Sequence, residues 1–156
     1  MTLSTIKAIL NYQFGDKVGD KIIEKYKENI KLEISKSTGR IRRIYINNNL
    51  FGTVEPSTGF IIPTFFGGEI IKTFLPFPKY RVIVSEEAIP FVLDGKSVFC
   101  KFVIDLDNNI LPEDVVFVVD RKDNLLAIGI SKLSSEEIKR FKRGVAIKIK
   151  HVRKNL

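Results

Sequence analysis

Tryptophan is absent from the 156 residues, and cysteine, histidine and methionine occur once each, as Cys100, His151 and Met1. A lone cysteine excludes an internal disulfide and any metal site built from several thiolates. One histidine leaves no imidazole set for zinc or iron, so no metal and no other cofactor is expected. No apolar run approaches the roughly eighteen residues that cross a bilayer, and the stretch from Gly59 to Phe66 is broken at Pro63. The N-terminus lacks a basic segment followed by an apolar one and a small-residue cleavage site. Neither export nor a membrane is therefore expected, and the cytoplasm is the expected compartment. One sign of charge is missing from the end of the chain. Nothing acidic follows Glu137, whereas Lys139, Arg140, Lys142, Arg143, Lys148, Lys150, Arg153 and Lys154 do.

What is present suits one domain or two small ones. Apolar residues make up 44% and charged residues 28% of the chain, enough for a core and an ordinary surface. The net charge of +8 fits an anionic partner, nucleic acid above all. Its distribution says more than its sum. Residues 1–78 carry eleven basic and seven acidic side chains and residues 79–156 fifteen and eleven, so each half is +4, but the second gathers its excess in the last eighteen residues.

From Asp16 to about Asn29 the apolar positions Val18, Ile22, Ile23, Tyr26 and Ile30 recur mostly at intervals of three and four. That pattern predicts an amphipathic helix, with Asp16 as its N-cap or in its first turn. The residues before it show only two short apolar patches, Ile6 to Leu10 and Tyr12 with Phe14. Ile30, Leu32 and Ile34 then alternate with polar residues, Lys36 to Gly39 turns the chain, and Arg40 to Asn47 returns as a hairpin partner. Leu50 to Val54, Phe60 to Phe66 and Glu69 to Leu75 extend this into a small antiparallel sheet over 30–75, the helix on one face. No internal duplication is visible. Pro76-Phe77-Pro78 fixes the backbone and removes two donors, which sets a boundary between domains 1–77 and 78–156. Short and apolar, it predicts domains that touch and move nearly as one body.

The second domain opens with a strand at Arg81 to Val84. A helix capped by Ser85 covers Glu86 to Asp94, short or kinked because of Pro90, and Gly95 ends it. Val98 to Ile104 reads as a strand whose only charge is Lys101, and Leu106 to Leu111 as a loop. Val115 to Val119 is a central strand, apolar on both faces, and Leu125 to Ser131 returns after the turn at Asp120 to Asn124. Leu133 to Phe141 is a helix: Ser134 and Glu137 have capping-box spacing, Leu133 and Ile138 the staple positions, and Gly144 the left-handed stop. Val145, Ile147 and Ile149 then alternate with Ala146, Lys148 and Lys150. Strands that are apolar on both faces need a covering helix or closure, and the short strands with Gly and Asn turns favour a small barrel. The fold class is α+β: a helix-plus-antiparallel-sheet domain followed by a β pseudo-barrel.

Lys139, Arg140, Lys142 and Arg143 fall in the last turn and a half of the predicted helix, where positive charge also suits the dipole. Lys148 and Lys150 share a strand face, with Arg153 near the tail, and repel one another unless solvent or phosphate neutralises them. The cluster predicts phosphate contact, which sets affinity and register without reading sequence. Gly129 and Gly144 would let a ribose-phosphate approach the backbone; relief of crowding at a bend and helix termination are the alternatives. Lys101, the one charge between Phe99 and Val103, is expected at a groove edge. Phe65, Phe66, Phe74, Phe77 and Tyr80 read mostly as core, the last two between the domains. His151 has no partner to make it a general base and would bond a phosphate or stay solvated. Cys100 reads as a small buried hydrophobe. Gly15 to Gly19 lacks the Gly-Lys-Ser/Thr ending of a phosphate-binding loop, and no catalytic residue is expected.

The same residues carry a family likeness. Val98–Val103, Leu125–Gly129, Leu133–Glu137 and Phe141–Ala146 resemble a PUA domain, the small RNA-binding pseudo-barrel of pseudouridine synthases and archaeosine transglycosylases. Tyr12–Gly15, Thr38–Arg42, Pro56–Gly59 and Pro78–Val82 resemble the region before that domain in archaeal tRNA-guanine transglycosylase and its archaeosine synthase relatives, so nearly the whole chain is covered. In that family the transglycosylase exchanges guanine for a 7-deazaguanine in tRNA. Its chemistry lies in a (β/α)₈ barrel with a zinc site, and the C-terminal domains grip the acceptor end. This chain is about a hundred residues short of a barrel, and Cys100 is not in the cysteine-bearing context of the amidine-forming relative. The resemblance implies that Gly95 and Lys96, with the last strand, face the 3′ end and acceptor stem of tRNA.

The expectation is thus a non-catalytic RNA-binding protein whose partner is RNA, tRNA above all, acting alone or with the catalytic subunit of a tRNA modification enzyme. Its RNA-binding residues are Gly95, Lys96, Lys101, Gly129, Arg140, Arg143, Lys148, Lys150, His151 and Arg153. The alternatives are a small-site enzyme acting on a nucleotide or RNA, built on Tyr12, Gln13, Asp16, Glu55 and Thr58, and a scaffold that binds protein near Phe60 to Phe77. The oligomeric state is not indicated.

Overall fold

A computed structural model describes residues 2–154, and its contacts divide the chain into two units, Met1–Pro76 and Phe77–Leu156. The first unit begins with a helix, α1 (Leu3–Phe14), which buries Ile6, Leu10 and Phe14. These lie four residues apart, a stripe one side chain wide, which is why the segment reads as two loose apolar patches. The second helix, α2 (Val18–Tyr26), starts later than its pattern suggests. Asp16 and Lys17 both adopt left-handed backbone, φ 51° and 55°, so Asp16 turns the chain instead of capping the helix. Asn11 of α1 takes over, its Oδ1 accepting the Gly19 N–H at 2.7 Å.

Four strands follow, β1 (Ile30–Ile34), β2 (Ile41–Ile46), β3 (Asn49–Val54) and β4 (Ile61–Pro63), paired antiparallel in chain order. The first and third connections are one loop built twice. Each carries Ser-Thr-Gly, as Ser37–Gly39 and Ser57–Gly59. The bonds Gly39 N to Ser35 O and Ser35 N to Arg40 O recur as Gly59 N to Glu55 O and Glu55 N to Phe60 O, all at 2.8 Å. The strand order sets both loops at the same end of the sheet. This corrects the reading that no segment repeats; the unit is too short to register as a period. After β4 the chain forms α3 (Phe65–Thr73) where a strand was expected over Glu69 to Leu75. Thr64 Oγ1 caps it at Gly67 N, 3.1 Å. A Cβ on Gly67 would stand 1.9 Å from the Phe51 carbonyl oxygen, so this glycine, which with Gly68 resembles a turn, permits close helix–sheet packing.

The second unit contains β5 (Arg81–Val84), α4 (Ile89–Leu93), β6 (Val98–Phe99), β7 (Val103–Leu106), β8 (Val115–Val119), β9 (Leu125–Ser131), α5 (Ser135–Arg140) and β10 (Val145–Val152). Pro90 falls in the first turn of α4, where no backbone donor is required, and one 3₁₀ turn, Glu86–Ala88, precedes it. Ser85 gives α4 no side-chain cap, and its hydroxyl is buried without a hydrogen-bond partner. The strands are ordered β6-β10-β9-β8-β5-β7, all antiparallel except β5 with β8. The expected strand over Val98 to Ile104 is broken by a 3₁₀ turn at Cys100–Phe102. That break closes the barrel: the two edge strands are consecutive in the chain, and the turn between them is bonded to both neighbours. Cys100 N–H donates to Gly144 O at 3.0 Å, and Phe102 O accepts from Ser85 N at 2.9 Å.

Val82, Val84, Leu106, Val116, Val118 and Ile147 fill the barrel interior. All five residues of β8 are buried, and each such side chain contributes about 1.5–3 kcal/mol by leaving water. Arg81 is 3% exposed and forms a two-point pair with Asp123, Nε to Oδ1 at 3.1 Å and Nη2 to Oδ2 at 3.3 Å. Its Nη1 donates to Lys79 O at 3.0 Å, so β5 is tied to the β8–β9 turn. The capping box of α5 forms as its spacing implies, Glu137 N to Ser134 Oγ at 3.2 Å and Ser134 N to Glu137 Oε1 at 2.9 Å.

Candidate nucleic-acid interface

α5 stops at Arg140, one residue short of its expected end and before the two further cations that were assigned to its last turn. Phe141 is already extended, φ −81° and ψ 134°, and Lys142 to Gly144 form a bend with Gly144 at φ 102°. Only Lys139 and Arg140 therefore sit on the helix; Lys142 and Arg143 belong to the bend. The Cys100–Gly144 hydrogen bond brings Lys101 beside this bend, because Lys101 and Arg143 flank its two ends. Lys101 lies on the 3₁₀ turn, exposed, its ammonium 5.1 Å from the centre of the Phe102 ring. A continuous strand would set Lys101 on one face with Phe99 and Val103; the 3₁₀ turn at Cys100–Phe102 breaks that register, and Phe99 is itself 46% exposed.

On β10, Lys148 lies opposite Ile130 and His151 opposite Ile128, with a register shift between Ile149 and His151. Residues 128 and 130 share a face of β9, so the shift turns His151 onto the face that carries Lys148. Ile149 and Val152 pack against the barrel core instead. Burial, and after it the Lys150 ammonium, holds the His151 imidazole below its ordinary 6.5. Gly95 ends α4 at φ 83°, followed by exposed Lys96. Since Val98 pairs with Ile147, Lys96 falls at the Lys148 end of the β6–β10 pairing.

Lys101, Arg140, Lys142, Arg143, Lys148 and Lys150 are all exposed, and none has a carboxylate partner among the described residues. Lys96 has only Asp94, 3.8 Å away and itself exposed, a pairing worth little in water. The structure thus gathers eight of the ten expected residues along α5, the bend, the 3₁₀ turn, β10 and the exit of α4. Two lie elsewhere. Gly129 is buried in β9, where a Cβ would meet Ile147 Cγ2 at 2.4 Å, so it offers no surface to a ribose-phosphate and relieves crowding. Arg153 is set against the β8–β9 turn, its guanidinium donating to the Leu125 carbonyl; the Asp120 carboxyl there is lowered, against the effect of burial, by hydrogen bonds from Asn124 and Lys122 and after them by the Arg153 charge. β10 separates it from Arg143 by roughly 25 Å of strand.

The Cys100 thiol is buried, which pushes its pKa up and disfavours thiolate. The charged neighbour that acts on His151 is the Lys150 ammonium. Among the described residues no three His, Cys, Asp or Glu side chains come together as a metal would need. The residues weighed for a small-site enzyme are engaged locally: Gln13 bonds both backbone groups of Ile61, Thr58 Oγ1 accepts from Phe60 N, and Glu55 accepts from Ser57 Oγ. Tyr12 is 78% exposed and stacks on Phe60 with ring centres 5.7 Å apart. No described helix is long and apolar enough to cross a membrane.

Comparison with known proteins fits both units. Residues 80–153 match the PUA domain, and residues 4–78 match patch-forming domain C2 of tRNA-guanine transglycosylase. The chain is 42% identical over 146 residues to a tRNA-guanine(15) transglycosylase of Methanobrevibacter smithii, covering 94% of this chain and 22% of that protein. It is 39% identical over 145 residues to the enzyme of that name from Thermococcus kodakarensis, covering 93% and 24%. The chain therefore spans about a fifth to a quarter of the curated relatives it matches. Among solved structures, hypothetical protein PH0734.1 of Pyrococcus horikoshii OT3 superposes with a TM-score of 0.73 at 26% identity, covering 97% of this chain and 92% of that one. A conserved PUA domain protein of Thermoplasma acidophilum shares the fold with a TM-score of 0.61 at 22% identity, covering 90% and 91%. The chain is a C2 patch-forming domain of the archaeal tRNA-guanine transglycosylase family followed by a PUA domain.

Proposed function

We propose that this chain binds tRNA at its acceptor stem and 3′ end through the cationic ridge of the PUA unit, and that it acts in tRNA modification in the cytoplasm without catalysing a reaction itself. The observation that carries this reading is the row of exposed cations without carboxylate partners on α5, the bend and β10. Such a row is costly to assemble unless an anion neutralises it. Lys101, Arg140, Arg143, Lys148, Lys150 and His151 would contact phosphates, and the exposed backbone at Gly95 with Lys96 would receive the strand end. These contacts fix register and orientation, and a duplex end with unpaired nucleotides supplies shape and 2′-hydroxyls. The relatives' names support tRNA as the substrate. The role would be positional: binding energy spent on the acceptor end orients the tRNA for a catalytic subunit acting elsewhere on it.

Crosslinking the protein to cellular RNA and sequencing what is recovered tests the assignment. Enrichment of tRNA, with crosslinks in the acceptor stem and 3′ end, is expected. Recovery that merely follows RNA abundance, or failure of tRNA to bind at low ionic strength, would remove the proposal. Incubation with tRNA and labelled guanine tests the catalytic side, and no incorporation is expected from the chain alone.

A further inference from the structure

A groove of about 530 Å³ runs between β7 and α5. Cys100, Leu106 and Ile138, all buried, form its floor, and Ile104 and Phe141 stand on its walls at 41% and 42% exposure. Lys101, Lys139 and Lys142 line it against one carboxylate, Asp105. Two of these cations are held in place. Lys101 lies over the Phe102 ring, and Lys139 donates to Asn108 Oδ1. Lys142 has no carboxylate partner among the described residues. Asp105 Oδ1 accepts the Leu106 N–H at 2.8 Å, which leaves Oδ2 to accept from a ligand.

Three ammonium groups beside two exposed apolar side chains suit a ligand that is anionic at one end and flat and apolar at the other. We propose that this groove binds a single unstacked nucleotide. Its phosphate rests on the lysines, its base lies against Phe141 and Ile104, and a base amino group donates to Asp105. The size is within the range of small-molecule sites, and base stacking on an aromatic ring tolerates different bases. A peptide fits less well. β7 is a four-residue edge strand with a register shift against β5, and its Leu106 N–H is already taken, so it is a poor template for an added strand. Lys142 and Arg143 are consecutive, so the groove opens at one end of the ridge. For an RNA-borne nucleotide the inference rests on the ridge reading; for a free nucleotide, which has the same chemistry, it does not.

Titration of the isotope-labelled full chain, followed at its backbone amides, tests the groove. Cytidine monophosphate is expected to move the amides of residues 100–106 and 138–142 saturably, and inorganic phosphate to do so at least about tenfold more weakly. Uridine monophosphate, which lacks the amino donor, is expected to bind several-fold more weakly than cytidine monophosphate, and Asp105→Asn to remove that difference. Phe141→Ala and Lys142→Ala should each weaken the nucleotide roughly tenfold. Lys148→Ala should leave it unchanged while weakening tRNA. An RNA duplex with an unpaired 3′ end that moves these amides where a blunt duplex does not identifies RNA as the source. If tRNA fails to bind while the monophosphate still titrates the groove, the ridge reading falls and a free-nucleotide site stands. If no monophosphate moves these amides, if phosphate alone binds as tightly, or if only an acidic peptide does so, the groove proposal is overturned.

Discussion

At Gly129 a Cβ would stand 2.4 Å from Ile147 Cγ2 and 2.9 Å from the Lys148 carbonyl oxygen. Gly129→Ala is expected to lower stability by about 1–3 kcal/mol through overpacking, visible as a lower urea midpoint, while tRNA affinity below the transition is unchanged. A loss of affinity with stability intact would return Gly129 to the interface. His151 is sensitive to pH in two opposed ways. Its folded pKa lies below 6.5, so the unfolded chain takes up the proton first as pH falls. Stability is full above about pH 6.5 and declines as pH drops through the lowered folded value. A phosphate beside the imidazole favours the charged form, so tRNA binding should strengthen across the same interval. His151→Gln is expected to flatten both profiles, measured by urea unfolding and by filter binding. A binding profile that His151→Gln leaves unaltered would place the imidazole outside the interface.

Among the elements, α5 was legible because its signals are local: a capping box is four residues long and its geometry is set by the backbone it caps. Ser134→Ala is expected to cost about 1 kcal/mol, read as a drop of a few degrees in Tm. The exit of the same helix was not legible. Gly144 has the left-handed backbone its residue type suggests, but it closes a bend, and the helix ends where Phe141 turns outward. Strand β7 and the turn before it read as one strand because an apolar run gives no sign of where the sheet must curl. Helix α3 reads as a strand for a related reason: Gly67 and Gly68 look like a turn until β3 is packed against Gly67. The Arg81–Asp123 pair could not be found by spacing, since its partners are 42 residues apart. Asp123→Ala leaves a buried guanidinium short of its counter-charge and is expected to cost about 3 kcal/mol, the lower end of the usual range because Asp123 is 28% exposed.

For the whole molecule the relevant quantity is charge. With a net +8 and an unneutralised ridge, tRNA affinity should fall steeply and linearly on a log–log plot against salt. Arg143→Ala and Lys148→Ala should each reduce that slope by about one and weaken different RNA sequences evenly, whereas Arg153→Ala, whose side chain is committed to the β8–β9 turn, should leave the slope unchanged. A slope near zero for the wild-type chain would remove phosphate contact as the basis of binding.

The sequence alone determined the two-part organisation, the strand–helix–strand order of the second unit, and the excess of positive charge after Glu137, because composition, period and capping are properties of neighbouring residues. Which of those charges lie near one another was decided only by the tertiary structure. A hydrogen bond from Cys100 to Gly144 brought Lys101 to the bend, a register shift turned His151 toward Lys148, and barrel closure enclosed Gly129 and drew Arg153 away. Each of these depends on contacts between residues far apart in the chain, and local pattern carries no trace of them.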